Sequence, residues 1–105
     1  MPIGHENSMK LDEKIVKDAH VLLHPIRFKI VELLIEKPLH INAISIAMGM
    51  ERRLVSYHLG VLEESGFLTS KYEMSEEKKS KGRAIRKCWV TNKVDQVISE
   101  IKKGL

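Results

Sequence analysis

The sequence predicts a mainly α (α+β) domain of winged helix-turn-helix type, with a β-hairpin wing and additional N- and C-terminal helices. Three observations carry this reading. Two short helical segments joined through a glycine lie within residues 39–66. Two β-prone runs separated by a charged linker follow directly, and apolar stripes of helical period flank the whole block. At 105 residues and 12.1 kDa, with 43% hydrophobic and 30% charged residues, the chain has the size of one small domain with a thin core.

The elements follow in order. Residues 1–9 mix Pro, Gly, His and Asn without periodicity and read as a flexible lead-in to a domain spanning 10–105. Leu11, Ile15, Ala19 and Leu22 then recur at steps of four, four and three, one stripe of a helix. His24 and Pro25 end that stripe, because proline lacks an amide and clashes with the preceding turn. Proline suits the first position of a new helix, so a second one is expected over Pro25–Glu36. There Ile26, Ile30, Leu33 and Leu34 share a face, with Arg27, Lys29, Glu32 and Glu36 elsewhere, and Pro38 closes the segment. Leu39–Ile41 reads as briefly extended, with Asn42 as the cap of a short helix carrying Ile44, Ala47 and Met48. Gly49 stands where a left-handed helix end belongs.

The next helix is expected over about 52–65, ended by Gly66. Val55, Leu59 and Leu62 cluster on its inner side, while Arg53, Ser56, Tyr57 and Gly60 fall on the opposite one. Extended runs over Phe67–Glu73 and Ala84–Thr91 enclose the polar stretch Ser75–Gly82, which suggests a hairpin with a long charged tip. Within it Trp89 is expected in the core and Cys88, on the alternate face, partly exposed. A last helix over about Asn92–Lys103, capped by Asn92, carries Val94, Val97, Ile98 and Ile101.

Charge is concentrated in one place. The chain holds 18 Lys plus Arg against 14 Asp plus Glu, a formal +4. Residues 71–93 alone carry eight basic against three acidic side chains, so the surplus belongs to the hairpin. An excess located on one element suggests an anionic partner.

The segment from Ile41 to Leu68 resembles the arsenic-repressor-type (ArsR-like) winged-helix transcription regulators. Gly49, Val55, Ser56, His58, Leu59, Leu62 and Gly66 fill the places of that family's helix-turn-helix motif without insertion. Leu23–Ile30 is similar to its Asp-Pro-x-Arg opening, with His24 where Asp is usual, and Gly82–Thr91 is similar to its basic return strand. The resemblance implies sequence-specific binding of double-stranded DNA by a homodimer. It also implies a role in transcription regulation, with a repressor the expected form, and dimerisation through the terminal helices.

DNA chemistry fits these residues on its own terms. A helix enters the major groove and reads base edges from its N-terminal turns, while basic side chains hold phosphates. Arg52, Arg53, Ser56, Tyr57 and Gly60 are the expected groove face. Lys78, Lys79, Lys81, Arg83 and Arg86, in a wing of about 74–87, are expected on the backbone or in the minor groove. Leu11, Ile15, Leu22, Val94, Val97, Ile98 and Ile101 are expected to supply the dimer interface.

Competing readings remain for several of these features. Tyr57 is alternatively half-buried against the wing, with His58 a structural residue supporting the helix. The lysine run is alternatively a solvated loop, and the terminal helices alternatively pack on their own domain as a monomer. The fold also serves as a protein-interaction or RNA-binding module.

Cofactors and metals are not expected. Cys88 is the only cysteine, and His40-Ile-Asn42 occupies the place of the family's Cys-x-Cys ligands, so no thiolate site can be assembled. His20 and His24, four residues apart, are the nearest approach to a ligand pair. No Ser-His-Asp, Cys-His or phosphate-loop arrangement appears, so no enzyme is expected. No small-molecule effector is indicated by the residues. The lack of a long apolar run and of an apolar signal core points to a cytoplasmic protein without membrane contact.

Overall fold

The computed structural model describes residues 13–74 and 82–104. Its elements are α1 (Glu13–Leu22), α2 (Pro25–Glu36), β1 (Leu39–His40), α3 (Ile41–Met48), α4 (Arg52–Glu64), β2 (Leu68–Met74), β3 (Ala84–Val90) and α5 (Lys93–Gly104). The three strands form one antiparallel sheet in the order β1-β3-β2. This is the expected winged helix-turn-helix, with α3 and α4 as the helix pair and β2–β3 as the wing.

Pro25 sits in the first turn of α2, and the N-cap is His24, whose Nδ1 accepts from the Ile26 amide at 3.1 Å. The buried face of α2 is Arg27, Ile30, Val31 and Leu34 rather than the expected set, with Leu33 and Ile26 only half-buried. The stripe is rotated because Arg27 turns inward. Its Nε donates to the Val21 carbonyl at 2.7 Å, and its Nη1 is 3.2 Å from His58 Nδ1. A guanidinium is tolerated there because those bonds replace water.

The cap of α3 also differs from expectation. His40, not Asn42, precedes the helix, in extended conformation and without a side-chain capping bond. Pairing of Leu39 with Cys88 and of His40 with Lys87 decides how far the chain stays extended, so Asn42 falls inside the first turn. Ile41 and Ile44 point inward while Ala47 is exposed. Gly49 closes the helix at φ +64°, its amide reaching Ile46 O at 3.1 Å and the Met50 amide reaching Ser45 O at 3.1 Å. That left-handed turn favours a residue without Cβ.

The core is formed by Leu22, Ile30, Leu34, Ile44, Val55, Leu59, Leu62, Phe67 and Val94, all essentially inaccessible. Phe67, placed between α4 and β2, contributes about 2 kcal/mol by burial. Cys88 belongs to this core at 0% exposure and Trp89 is half-buried, the reverse of the expected assignment. Register explains it. Cys88 pairs with Leu39 on one side and Ser70 on the other, so it shares the inner face with Leu68, whereas Trp89 pairs with Thr69 on the outer face.

α1 packs on α5, and this contact corrects the expected dimer residues. Leu22, Val94 and Val97 lie in the core of the single chain and are not available to a second copy. Ile15, Ile98 and Ile101 are half-buried. Leu11 lies outside the described residues. The amide of Lys93 at the start of α5 reaches the Thr91 hydroxyl at 3.3 Å, so Thr91 supplies the capping oxygen expected from Asn92.

Candidate nucleic-acid interface

α4 begins without an acidic residue in its first turn and without a side-chain cap, Glu51 being the extended residue before it. Arg52 and Arg53 stand at that end, where free amides and the helix dipole favour anions. Val55, His58, Leu59 and Leu62 anchor the inner face. Arg52, Arg53 and Gly60 are exposed, Ser56 is half-buried, and Tyr57 is 61% exposed. The outward placement of Tyr57 decides against its packing on the wing. A Cβ built on Gly60 meets nothing within 4 Å, so the helix surface there is open.

The wing is laid along this helix by the turn at Gly66. The Gly66 amide bonds Glu63 O at 3.0 Å and the Phe67 amide bonds Leu62 O at 2.9 Å, which sends β2 back beside α4. Ser70 therefore meets Glu63 near the far end of the helix, its hydroxyl donating to Oε1 at 3.0 Å. Farther along the strand, Tyr72 reaches the level of Arg52 and Ser56. Asn42, Arg52, Ser56, Tyr72 and Arg83 line one cleft of about 440 Å³ between the helix pair and the wing. A second hollow, lined by Arg52, Arg53, Ser56 and Tyr57, continues it over the outer surface of α4.

Arg83 is exposed at the wing. Arg86 is engaged within the chain. Its Nη2 donates to Glu63 Oε1 at 2.6 Å and its Nε to Ser70 Oγ at 3.1 Å, with 17% of the side chain exposed. It holds the wing to α4 while lining the same cleft. Lys78, Lys79 and Lys81 lie outside the described residues. The sequence reading missed Asn42 and Tyr72 as cleft residues. Strand parity was the available signal for Tyr72, since it follows Ser70 by two along the face turned to α4.

Two other clusters support the surface. His58 is 5% exposed, its ring centroid 5.0 Å from that of His24 and 5.0 Å, edge-on, from that of Tyr57. Burial lowers its pKa from the ordinary 6.5, and the nearby His24 and Arg27 act in the same direction. At the other end of α4, Lys93 Nζ donates to Ser65 O at 2.6 Å, lies 3.3 Å from Asp18 Oδ1, and sits 5.0 Å above the Phe67 ring. On the outer face of the sheet, Glu73 joins His40 at 3.1 Å and Lys87 at 3.8 Å, so those basic groups are turned away from the cleft.

Fold and surface together define a winged helix-turn-helix protein with two arginines at the start of α4 and a wing docked against that helix. Residues 24–70 match the family of bacterial regulatory proteins of the arsR family. The match spans the helix-turn-helix and the start of the wing, so in this part the chain is similar to a family of regulatory proteins. No curated protein sequence matches it.

Solved structures share the architecture. One is the homodimeric winged helix-turn-helix DNA-binding domain of a possible ArsR-family regulator from Mycobacterium bovis, with a TM-score of 0.66 at 16% identity over 97% of this chain and 84% of that one. NolR from Sinorhizobium fredii gives 0.66 at 16% identity, covering 98% and 91%. HlyU from Vibrio cholerae gives 0.64 at 16%, covering 98% and 96%. At such identities the likeness is one of fold. Among the described residues no three metal-binding side chains come together, and no helix is long and apolar enough to cross a membrane.

Proposed function

We propose that the chain is a sequence-specific, double-stranded-DNA-binding transcription repressor that acts as a homodimer. The observation that carries this is the continuity of one surface. Arg52, Arg53, Ser56 and Tyr57 of α4 and Arg83 of the wing border connected hollows on the same side of the molecule. In this reading the N-terminal turns of α4 enter the major groove, with Arg52 and Arg53 donating to base edges and Ser56 and Tyr57 one turn further along. Gly60 lets the helix approach closely. Arg83, joined by Lys78, Lys79 and Lys81, follows the phosphates beside the groove. Arg86 serves the same purpose indirectly, by fixing the wing's angle to α4.

The dimer is formed through the outer helices; the Mycobacterium bovis domain of similar fold is itself homodimeric. Leu22, Val94 and Val97 are occupied inside the chain, so the proposed contact rests on Ile98 and Ile101, half-buried, and Val16, 51% exposed, together with Leu11 and Ile15 of the N-terminal stripe. Two α4 helices related by a two-fold axis would read half-sites about 34 Å apart. No cofactor takes part, and the protein works in the cytoplasm, where its DNA is.

Binding of labelled duplexes across a salt series tests the reading, with the fragment upstream of the protein's own coding sequence included. A steep fall of affinity with salt and preference for one duplex are expected, from release of counterions at several phosphates. Salt-insensitive binding, or preference for single-stranded RNA, refutes it. Sedimentation at micromolar concentration tests the pairing, and a mass near 12.1 kDa argues against it.

A further inference from the structure

We propose that His24, Arg27 and His58 form an acid-released latch that holds the reading helix α4 against α2, so that mild acid frees the helix and weakens DNA binding. The inference rests on the DNA-binding reading for its consequence but on geometry for the latch itself.

The bonds prescribe the protonation state. Arg27 can only donate, so its 3.2 Å contact with His58 Nδ1 requires a lone pair on that nitrogen. The Ile26 amide can likewise only donate, so the 3.1 Å cap bond requires a lone pair on His24 Nδ1. Both rings must therefore be neutral, with any ring proton on Nε2. They lie 5.0 Å apart, and Arg27 already carries a permanent charge between α1 and α4. A proton gained at either Nδ1 removes an acceptor and adds a second positive charge beside the guanidinium.

Nothing nearby compensates that charge. The charged and titratable groups facing His58 are Arg27 and His24 from α2 and, on its own helix, Tyr57. α1 faces the cluster through the Val21 carbonyl, which is already taken by Arg27 Nε. Among the described residues no carboxylate pairs with any of the three basic groups; Asp18, the buried acid of α1, is engaged by Lys14 and Lys93. Burial and the neighbouring positive charges both resist protonation of His58, so release is expected below pH 6.5. Tyr57, set edge-on against the His58 ring, carries the change to the outer surface of α4.

The direction of the effect is diagnostic. Acidification makes the protein more positive, and by charge alone that strengthens binding to DNA; the latch predicts the opposite.

The full chain is followed by NMR from pH 7.5 to 5.0, reading the histidine ring signals, the Arg27 Nε–H and amide exchange along α4. His58 is expected to titrate below its ordinary value together with loss of the Arg27 signal, and α4 to exchange faster than the core of α2. Titration of His58 near the ordinary value with α4 unchanged overturns the proposal. In parallel, anisotropy with a fluorescent duplex of the upstream fragment is expected to show about tenfold weaker binding at pH 5.5 than at 7.5, a difference of 1.4 kcal/mol.

His24→Asn keeps an N-cap oxygen, and His58→Asn places an amide oxygen near the position of Nδ1. The double variant is expected to bind more tightly in acid, following charge alone, and the same loss in variant and parent overturns the latch. Should the double variant fold poorly, His24→Asn alone is expected to shift the exchange transition to lower pH, and an unshifted transition counts against the proposal. If no duplex binds at either pH, the DNA reading fails, and the latch is decided by exchange alone.

Discussion

Arg86 donates to Glu63 Oε1 at 2.6 Å, joining the returning strand of the wing to the last turn of α4. Ser70 bonds both partners, so the three side chains close a ring across β2, β3 and α4. Glu63→Ala leaves Arg86 and Ser70 without their acceptor and is expected to cost about 1.5 kcal/mol. Urea unfolding measures this. Duplex affinity should drop several-fold as well, although Glu63 itself repels phosphate. An unchanged or improved affinity would show that the ring does not set the wing's angle.

Arg53 and Arg83 are expected to fail differently. Arg53→Ala should narrow the gap between preferred and scrambled duplexes by about 1–3 kcal/mol, as loss of a base contact does. Arg83→Ala should weaken all duplexes alike and flatten the salt dependence by about one counterion. Competition assays with two duplex sequences separate these outcomes, and equal effects on discrimination refute the division.

Gly60→Ala sets stability against function. The position lies inside a helix, is exposed and has open space around it, so alanine should stabilise the fold by about 1 kcal/mol. The added methyl group meets DNA if α4 lies in the groove. A higher melting temperature with lower duplex affinity is the expected pair of results; higher stability with unaltered binding would move the groove contact away from Gly60.

Burial raises the pKa of Cys88, Arg86 opposes the rise, and Glu63 adds to it. The thiol should therefore stay protonated and unreactive at neutral pH. Iodoacetamide labelling at pH 7.5, followed by mass spectrometry, is expected to be slow in buffer and fast in denaturant. Rapid labelling of the native chain would place β3 differently.

His58 makes stability depend on pH. Its folded-state pKa lies below the unfolded value of 6.5, so the unfolded chain takes up the proton first as pH falls. The contribution of neutral His58 is complete above 6.5 and is lost as pH drops through the lowered folded value. Thermal melts at pH 7.5 and 5.5 should show a lower midpoint in acid, and the difference should shrink in His58→Asn. A midpoint that rises on acidification contradicts this sign.

The helices and the wing were legible because periodicity and punctuation agree locally: Pro25 starts α2, Gly49 ends α3, and the run of basic residues separates the two strands. What could not be read depended on pairing across the sequence. Parity gave Cys88 and Trp89 opposite faces but not which face was inner, because that is set by Leu39, far upstream. Arg86 and Arg27 look in a sequence like free cations; their partners Glu63 and His58 come from other elements. The stripes of α1 and α5 were visible, yet Leu22, Val94 and Val97 were assigned to a second copy when the first already encloses them. Of the outward face read from the wheel, Arg53, Tyr57 and Gly60 are exposed, and Ser56 is half-buried beside the wing.

The ammonium of Lys93 touches the Ser65 carbonyl, Asp18 and the Phe67 ring. One cation thereby belongs at once to the end of α4, to α1 and to α5. In a pair of chains joined as proposed, a shift of α5 against α1 would reach the end of α4 through this one side chain.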